Sequence, residues 1–206
     1  MRIHVEYDWD SDADECEFVV EHVASVFELT SDHEPVCVGR VWFDRVLASS
    51  ASAAGRSLED VCDESSDGLY ECYRLLFDGA QDDVFPAPEL GVGEPVTELL
   101  FVHRAVWHPV STAFQPVFFC ALAELFECGS LTIAWRKAVT APDAELAPAG
   151  LMKIAGSDAL YKANAYACEM SRDGRLPETP LPTVSEVVAV APLRYVDRES
   201  RRGEPR

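Results

Sequence analysis

Lysine is almost missing from this chain. Lys137, Lys153 and Lys162 are the only three in 206 residues, and Lys plus Arg total 17 against 36 Asp plus Glu. A formal net charge of −19 removes the basic face that phosphate contacts need, so no direct binding to nucleic acid is expected. Anionic membrane surfaces are disfavoured for the same reason. Apolar runs long enough to cross a bilayer are also lacking. The stretch from Met1 to Glu15, MRIHVEYDWDSDADE, puts acids where a signal peptide would have its apolar region, so a cytoplasmic location is the expectation. Cysteine spacing offers no framework. The seven cysteines are odd in number and scattered without a C-x-x-C pair, and Cys37 and Cys120 sit in apolar runs. Buried reduced thiols fit this better than disulfides or zinc. His103 and His108 stand five apart with no ligand cluster beside them, so no metal site is expected.

What is present is core material. Apolar residues make up 48% of the chain, enough to rule out global disorder. The acids gather in loops such as DWDSDADE and DGAQDD rather than in regular rows. Such a surface serves solubility, or attracts a basic partner.

Periodicity and turn signals predict the elements in order. Residues 2–7 read as a short strand, and CEFVVEHVASVFEL (16–29) and VCVGRVWFDRVLA (36–48) as two antiparallel strands joined by the turn formers of 31–35. Ser57, with Asp60 three residues on, opens a helical region. Leu69, Cys72, Tyr73 and Leu76 then share one face of a further helix that Gly79 stops. Residues 79–97, rich in Pro and Gly, form a surface loop. ELLFVHRAVW (98–107) is a near-continuous apolar run, as in a central strand covered on both faces. A broad-faced apolar helix comes next at 115–127, then a strand at 130–139. LMKIAGSDALYKANAY (151–166) reads as two short strands, the last running on to about 168. SRDGRLPETPLPT (171–183) is a linker and VSEVVAVAPL (184–193) an extra strand, on this sheet or on a second copy's. The expected organisation is one domain over 1–170, the linker 171–183, and a tail over 184–206.

This order is similar to the GCN5-related N-acetyltransferase (GNAT) superfamily over roughly residues 16–170. ELLFVHRAVWHPV resembles its central strand leading to the acyl-CoA loop. AGLMKIAGSDALYKANAY resembles its closing hairpin, and SLEDVCDESSDGLYECYRLLF a helical stretch before the central strand. The resemblance implies an α+β fold: a mixed, mostly antiparallel sheet whose central strand is followed by a buried helix. It also places a cofactor loop at Val106, His108, Thr112, Ala113, Phe114 and Gln115, and candidate general bases at Glu98 and His103.

The departures from the family are specific. Its loop carries an Arg/Gln-x-x-Gly-x-Gly/Ala motif whose backbone amides hold the pyrophosphate of coenzyme A; here the matching segment is TAFQPV. Both glycines and the arginine are absent, Pro116 removes an N–H, and Phe114 puts a ring near the phosphate path. Nor does the segment Glu145–Lys153 offer the tyrosine that protonates the departing thiolate, while Tyr161 reads as a packed aromatic. The resemblance therefore implies a GNAT-like protein that has lost acyl transfer and binds a protein or small molecule. Two alternatives stand beside it. One is an active N-acyltransferase with an altered loop, using acetyl-CoA or another acyl-CoA. The other is an acidic module that recruits a basic partner. Trp42, Trp107 and the apolar tail strand are interface material for a homodimer.

Overall fold

The computed structural model describes residues 2–8, 18–29, 34–78, 85–109, 112–126, 129–163 and 186–189. Its elements are β1 (Arg2–Asp8), β2 (Val19–Leu29), β3 (Pro35–Val46), α1 (Ala48–Ala53), α2 (Leu58–Ser65), α3 (Asp67–Phe77), β4 (Glu98–Trp107), α4 (Phe114–Leu125), β5 (Ser130–Trp135), α5 (Asp143–Leu146), β6 (Met152–Lys153), β7 (Ala159–Ala163) and β8 (Glu186–Ala189). They build an α+β fold around one sheet of order β6-β7-β5-β4-β3-β2-β1-β8. The pairs β4–β5 and β1–β8 are parallel and the rest antiparallel.

The alternation of side chains along each strand gives the sheet two faces with different covers. On one, Ile3, Val5, Ala24, Val41, Phe43, Leu100 and Val102 pack under Phe118 and Leu122 of α4. On the other, Val46, Leu99, Phe101, Leu131, Ile133 and Tyr161 pack under Leu58, Leu69, Cys72 and Leu76 of α2 and α3. β4 serves both cores, which is why Leu99 to Val102 form an unbroken apolar run with no more than 2% exposure. Ser57 caps α2 by accepting the Asp60 N–H, as its spacing predicts, and Ser66 caps α3 through the Leu69 N–H. The Tyr161 hydroxyl donates to the Leu90 carbonyl at 2.8 Å, fixing the aromatic as a buried tie between β7 and the loop before β4.

Several boundaries differ from those predicted. The strand expected over 130–139 ends at Trp135, because Arg136 turns the chain into a short 3-10 segment. Its guanidinium donates to the carbonyls of Val139 and Ala141 and holds the turn closed. Ala48 is not the end of β3 but the start of α1, which has no side-chain cap to announce it. Cys62 and Cys72 are buried, whereas Cys37 is exposed and Cys120 half-buried. Cys37 belongs to the exposed first three residues of β3, so its apolar neighbours misrepresent its burial. The extra tail strand is β8, on the chain's own sheet beside β1. The linker expected over 171–183 lies outside the described residues.

At one end of the sheet, Arg45 of β3 forks onto Glu98 of β4. Nε donates to Oε2 at 3.0 Å and Nη2 to Oε1. The Glu98 side chain is only 8% exposed, so the pair is largely desolvated. The Arg45 guanidinium also lies 5.1 Å from the centre of the Phe126 ring at the end of α4. Arg45→Met should therefore cost about 3–5 kcal/mol, because it strands a buried carboxylate, and the double variant Arg45→Met/Glu98→Leu should regain most of it. Urea unfolding of the single and double variants checks this.

Candidate functional site

The loop after β4 is where the sequence points, and its neighbourhood is set by a mismatch in strand length. β4 runs for ten residues and β5 for six, and their pairing covers only Glu98–Val102 against Ser130–Ala134. The second half of β4 thus faces no β5 partner. In this chain that gap is filled from within. The Trp107 indole N–H donates to the Ala138 carbonyl at 3.2 Å, and its ring meets Phe118 edge-on at 5.8 Å. Gly39 of β3 makes room for it: a Cβ there would stand 2.3 Å from the indole.

Gln115 completes the closure. It is fully buried, at 0% exposure, in the first turn of α4. Its Oε1 accepts the N–H groups of Thr140 and Ala141, both at 2.9 Å, and Nε2 donates to Thr140 Oγ1 at 2.7 Å. All three of these bonds face the segment after the Arg136–Ala138 turn, away from solvent. The start of α4 is a poor anion cradle by itself. Ala113 gives no side-chain cap, the Gln115 N–H is spent on Thr112, and Pro116 has none to offer. Phe114 packs against the α4-side core. Val106 is 56% exposed, and His108 is exposed, with its N–H donating to Val38.

The two candidate bases lie apart from this loop. Glu98 begins β4 and Trp107 ends it, so about 30 Å of strand separates Glu98 from the loop. The Glu98 carboxylate is occupied by Arg45. His103 is the extra residue of a β-bulge, since Trp42 pairs with Arg104 but Phe43 with Val102. It lies on the face opposite α4, beside Phe101.

There His103 meets a group that sequence periodicity does not reveal. Asp44 lies 3.6 Å from its Nε2 and pairs across the strands with Glu21. Burial and the neighbouring Glu21 charge push the Asp44 carboxyl up to about 7. Burial lowers His103, with Arg104 and Lys137 acting in the same direction and Glu21 opposing. On the α4 side, burial lowers His22 to about 4; it is stacked on Phe43 at 4.9 Å with Nδ1–H on the Val20 carbonyl. A recess of about 320 Å³ also exists, but along the outer face of α3, beside Tyr70, Glu71 and Arg74.

Comparison with family models, characterised proteins and solved structures gave no match. The chemistry is thus read from the side chains alone. Among the described residues no cluster of His, Cys, Asp and Glu is arranged to hold a metal, and no helix is long and apolar enough to cross a membrane.

Two outcomes are expected. Gln115→Ala should lower stability by roughly 2–4 kcal/mol, because two buried N–H groups lose their acceptor, whereas surface changes in α4 such as Glu124→Gln should fall within about 0.5 kcal/mol. Asp44 is protonated in the fold up to about 7 but ionises near 3.8 when unfolded, so its contribution is greatest below that lower value and is lost as pH rises to 7. Asp44→Asn should therefore stabilise the protein at pH 8, by up to roughly 3–4 kcal/mol, and leave it nearly unchanged at pH 4. Denaturant midpoints at the two pH values give the comparison.

Proposed function

We propose that this chain is a GNAT-like protein in which the place of the acyl-CoA cleft has been closed by its own side chains, and that it works by binding rather than by acyl transfer. The order of elements supports the likeness: antiparallel strands, helices, a central strand, a buried helix, a parallel strand, a short helix and a closing hairpin. Gly150 precedes that hairpin with φ +80°, a left-handed conformation suited to glycine. The single observation that carries the loss of activity is the closure by Trp107 and Gln115. A pantetheine arm entering beside the outer half of β4 would have to displace the indole and break the amide's three hydrogen bonds. Loss of the pyrophosphate-binding amides compounds this, at ~1.5–3 kcal/mol for each charge-assisted bond.

The ligand class is a protein or small molecule. The acidic variant of this function, recruitment of a basic partner, draws support from Asp44 and Glu21, paired across the strands on the sheet face opposite α4. The test is thermal unfolding with acetyl-CoA. A ligand at 100 times its Kd adds ~2.7 kcal/mol, so a micromolar binder would raise Tm by several degrees at millimolar concentration. No shift is expected, and neither is transfer to amine acceptors. A clear shift that Gln115→Ala enhances would instead favour an active N-acyltransferase with an openable cleft.

A further inference from the structure

The bulge at His103 has a second effect besides bringing Trp107 under α4. Leu100 and Val102 face the α4-side core, and strict alternation would send Arg104 and Val106 to that same core. The extra residue reverses the order. Ala105 and Trp107 join the α4 side, while Arg104 and Val106 come out on the opposite face. There they meet two residues of β3, because Arg104 pairs with Trp42 and Val106 with Arg40. Arg40, Arg104 and Val106 are all exposed.

The outcome is a small cationic patch. Arg104 leans across to β3, its guanidinium over the Trp42 ring at 4.7 Å. Stacking uses the plane of the guanidinium and leaves its edge donors for a ligand. Arg40 lies diagonally from it, at the ~7–8 Å typical of such positions in antiparallel strands. Lys137, exposed on the turn after β5, adds a third cation whose charge reaches His103. Other arginines of the chain are paired: Arg45 with Glu98, Arg56 with Glu64 and Arg136 with Asp143. Among the described residues, Arg40, Arg104 and Lys137 have no such carboxylate. Glu6 and Asp44 stand instead by imidazoles, at 3.9 Å from His4 and 3.6 Å from His103.

Three cations without carboxylate partners do not serve solubility in a chain of net charge −19. Their field reaches only about 8 Å at physiological salt, so a ligand must sit on the patch to feel it. A long polyanion such as nucleic acid would extend beyond the patch and meet the surrounding acids. A short acidic segment meets the patch alone. Its carboxylates take paired donors from the two guanidiniums, and an apolar side chain between them covers Val106, which is 56% exposed beside Arg40.

We infer that Arg40, Trp42, Arg104 and Val106 form a docking surface for a short acidic peptide segment of a partner protein. The surface lies on the other face of the sheet from Gln115, so its binding is separate from the closure of the loop after β4.

Titration of the 15N-labelled full chain with a capped pentapeptide, Glu and Asp around a central Leu, tests this by NMR. The Trp42 indole N–H and the Nε–H groups of Arg40 and Arg104 should shift saturably, with a Kd of about 0.1–1 mM at ~20 mM salt. Affinity should fall at least about tenfold at ~0.5 M salt. The variant Arg40→Gln/Arg104→Gln, shown folded by its own spectrum, should lose the binding to the same degree. Arg74→Gln, on the outer face of α3, should leave it unchanged. Absence of a saturable shift at low salt would overturn the inference, as would equal affinity in the double variant. Tighter binding of inorganic phosphate than of the peptide to these same groups would overturn it too, and assign the patch to a phosphorylated ligand.

Discussion

The mismatch between β4 and β5 is the constraint on which most of this molecule depends. A ten-residue strand beside a six-residue one leaves a half-strand whose backbone and side chains need another partner. A ligand can fill that place, or the chain can. Here the chain does so, with an indole wedged over Gly39 and a buried amide that satisfies Thr140 and Ala141. Those bonds fix the start of α4 relative to the segment after β5. α4 then carries Phe118 and Leu122 onto β1, β2 and β3, so the closure also sets the packing of the larger part of the sheet.

The sequence conveys the layers better than the closures. Apolar runs and turn formers place β2, β3, β4, α3 and α4 within a few residues, because burial on a regular face imposes a period. β4 is the clearest case, since two cores demand an unbroken apolar run. What escapes is structure made by single side chains acting over long separations. Gln115 reads as part of a helix start, and nothing in TAFQPV shows that its amide bonds with residues 25 and 26 positions away. The shortening of β5 depends likewise on the Arg136 guanidinium capturing two carbonyls. Glu98 and His103 are visible as ionisable residues on a central strand. Their partners Arg45 and Asp44 are adjacent in sequence on β3, yet point to opposite faces, and only the register of β3 against β4 reveals the pairing.

The two faces also respond to pH in opposite senses. His22, held neutral between Phe43 and Phe126, favours the fold above the ordinary imidazole range and loses that contribution as pH falls toward 4. Asp44 works against the fold as pH rises toward 7. Between about 4 and 6.5 the two contributions have opposite slopes and largely cancel, so each shows in stability only when the other group is replaced. The titration on the His22 side is structural, because a ring stacked on Phe43 cannot reach a ligand. That of Asp44 belongs to a face with no helix over β1 and β2 among the described residues.

This difference bears on where binding can reside. A buried polar group satisfied by its own chain, as Gln115 is, contributes stability and specificity of packing but offers nothing to a ligand. A carboxyl kept protonated by burial and a neighbouring charge, as Asp44 is, is the opposite case: it gains free energy when a cation arrives, because it can then ionise. On these grounds the loop after β4 is framework. Like charges stand instead on the opposite face, where Asp44 and Glu21 lie side by side across two strands. A cation brought to this face should therefore release a proton from Asp44 as its carboxyl falls from about 7.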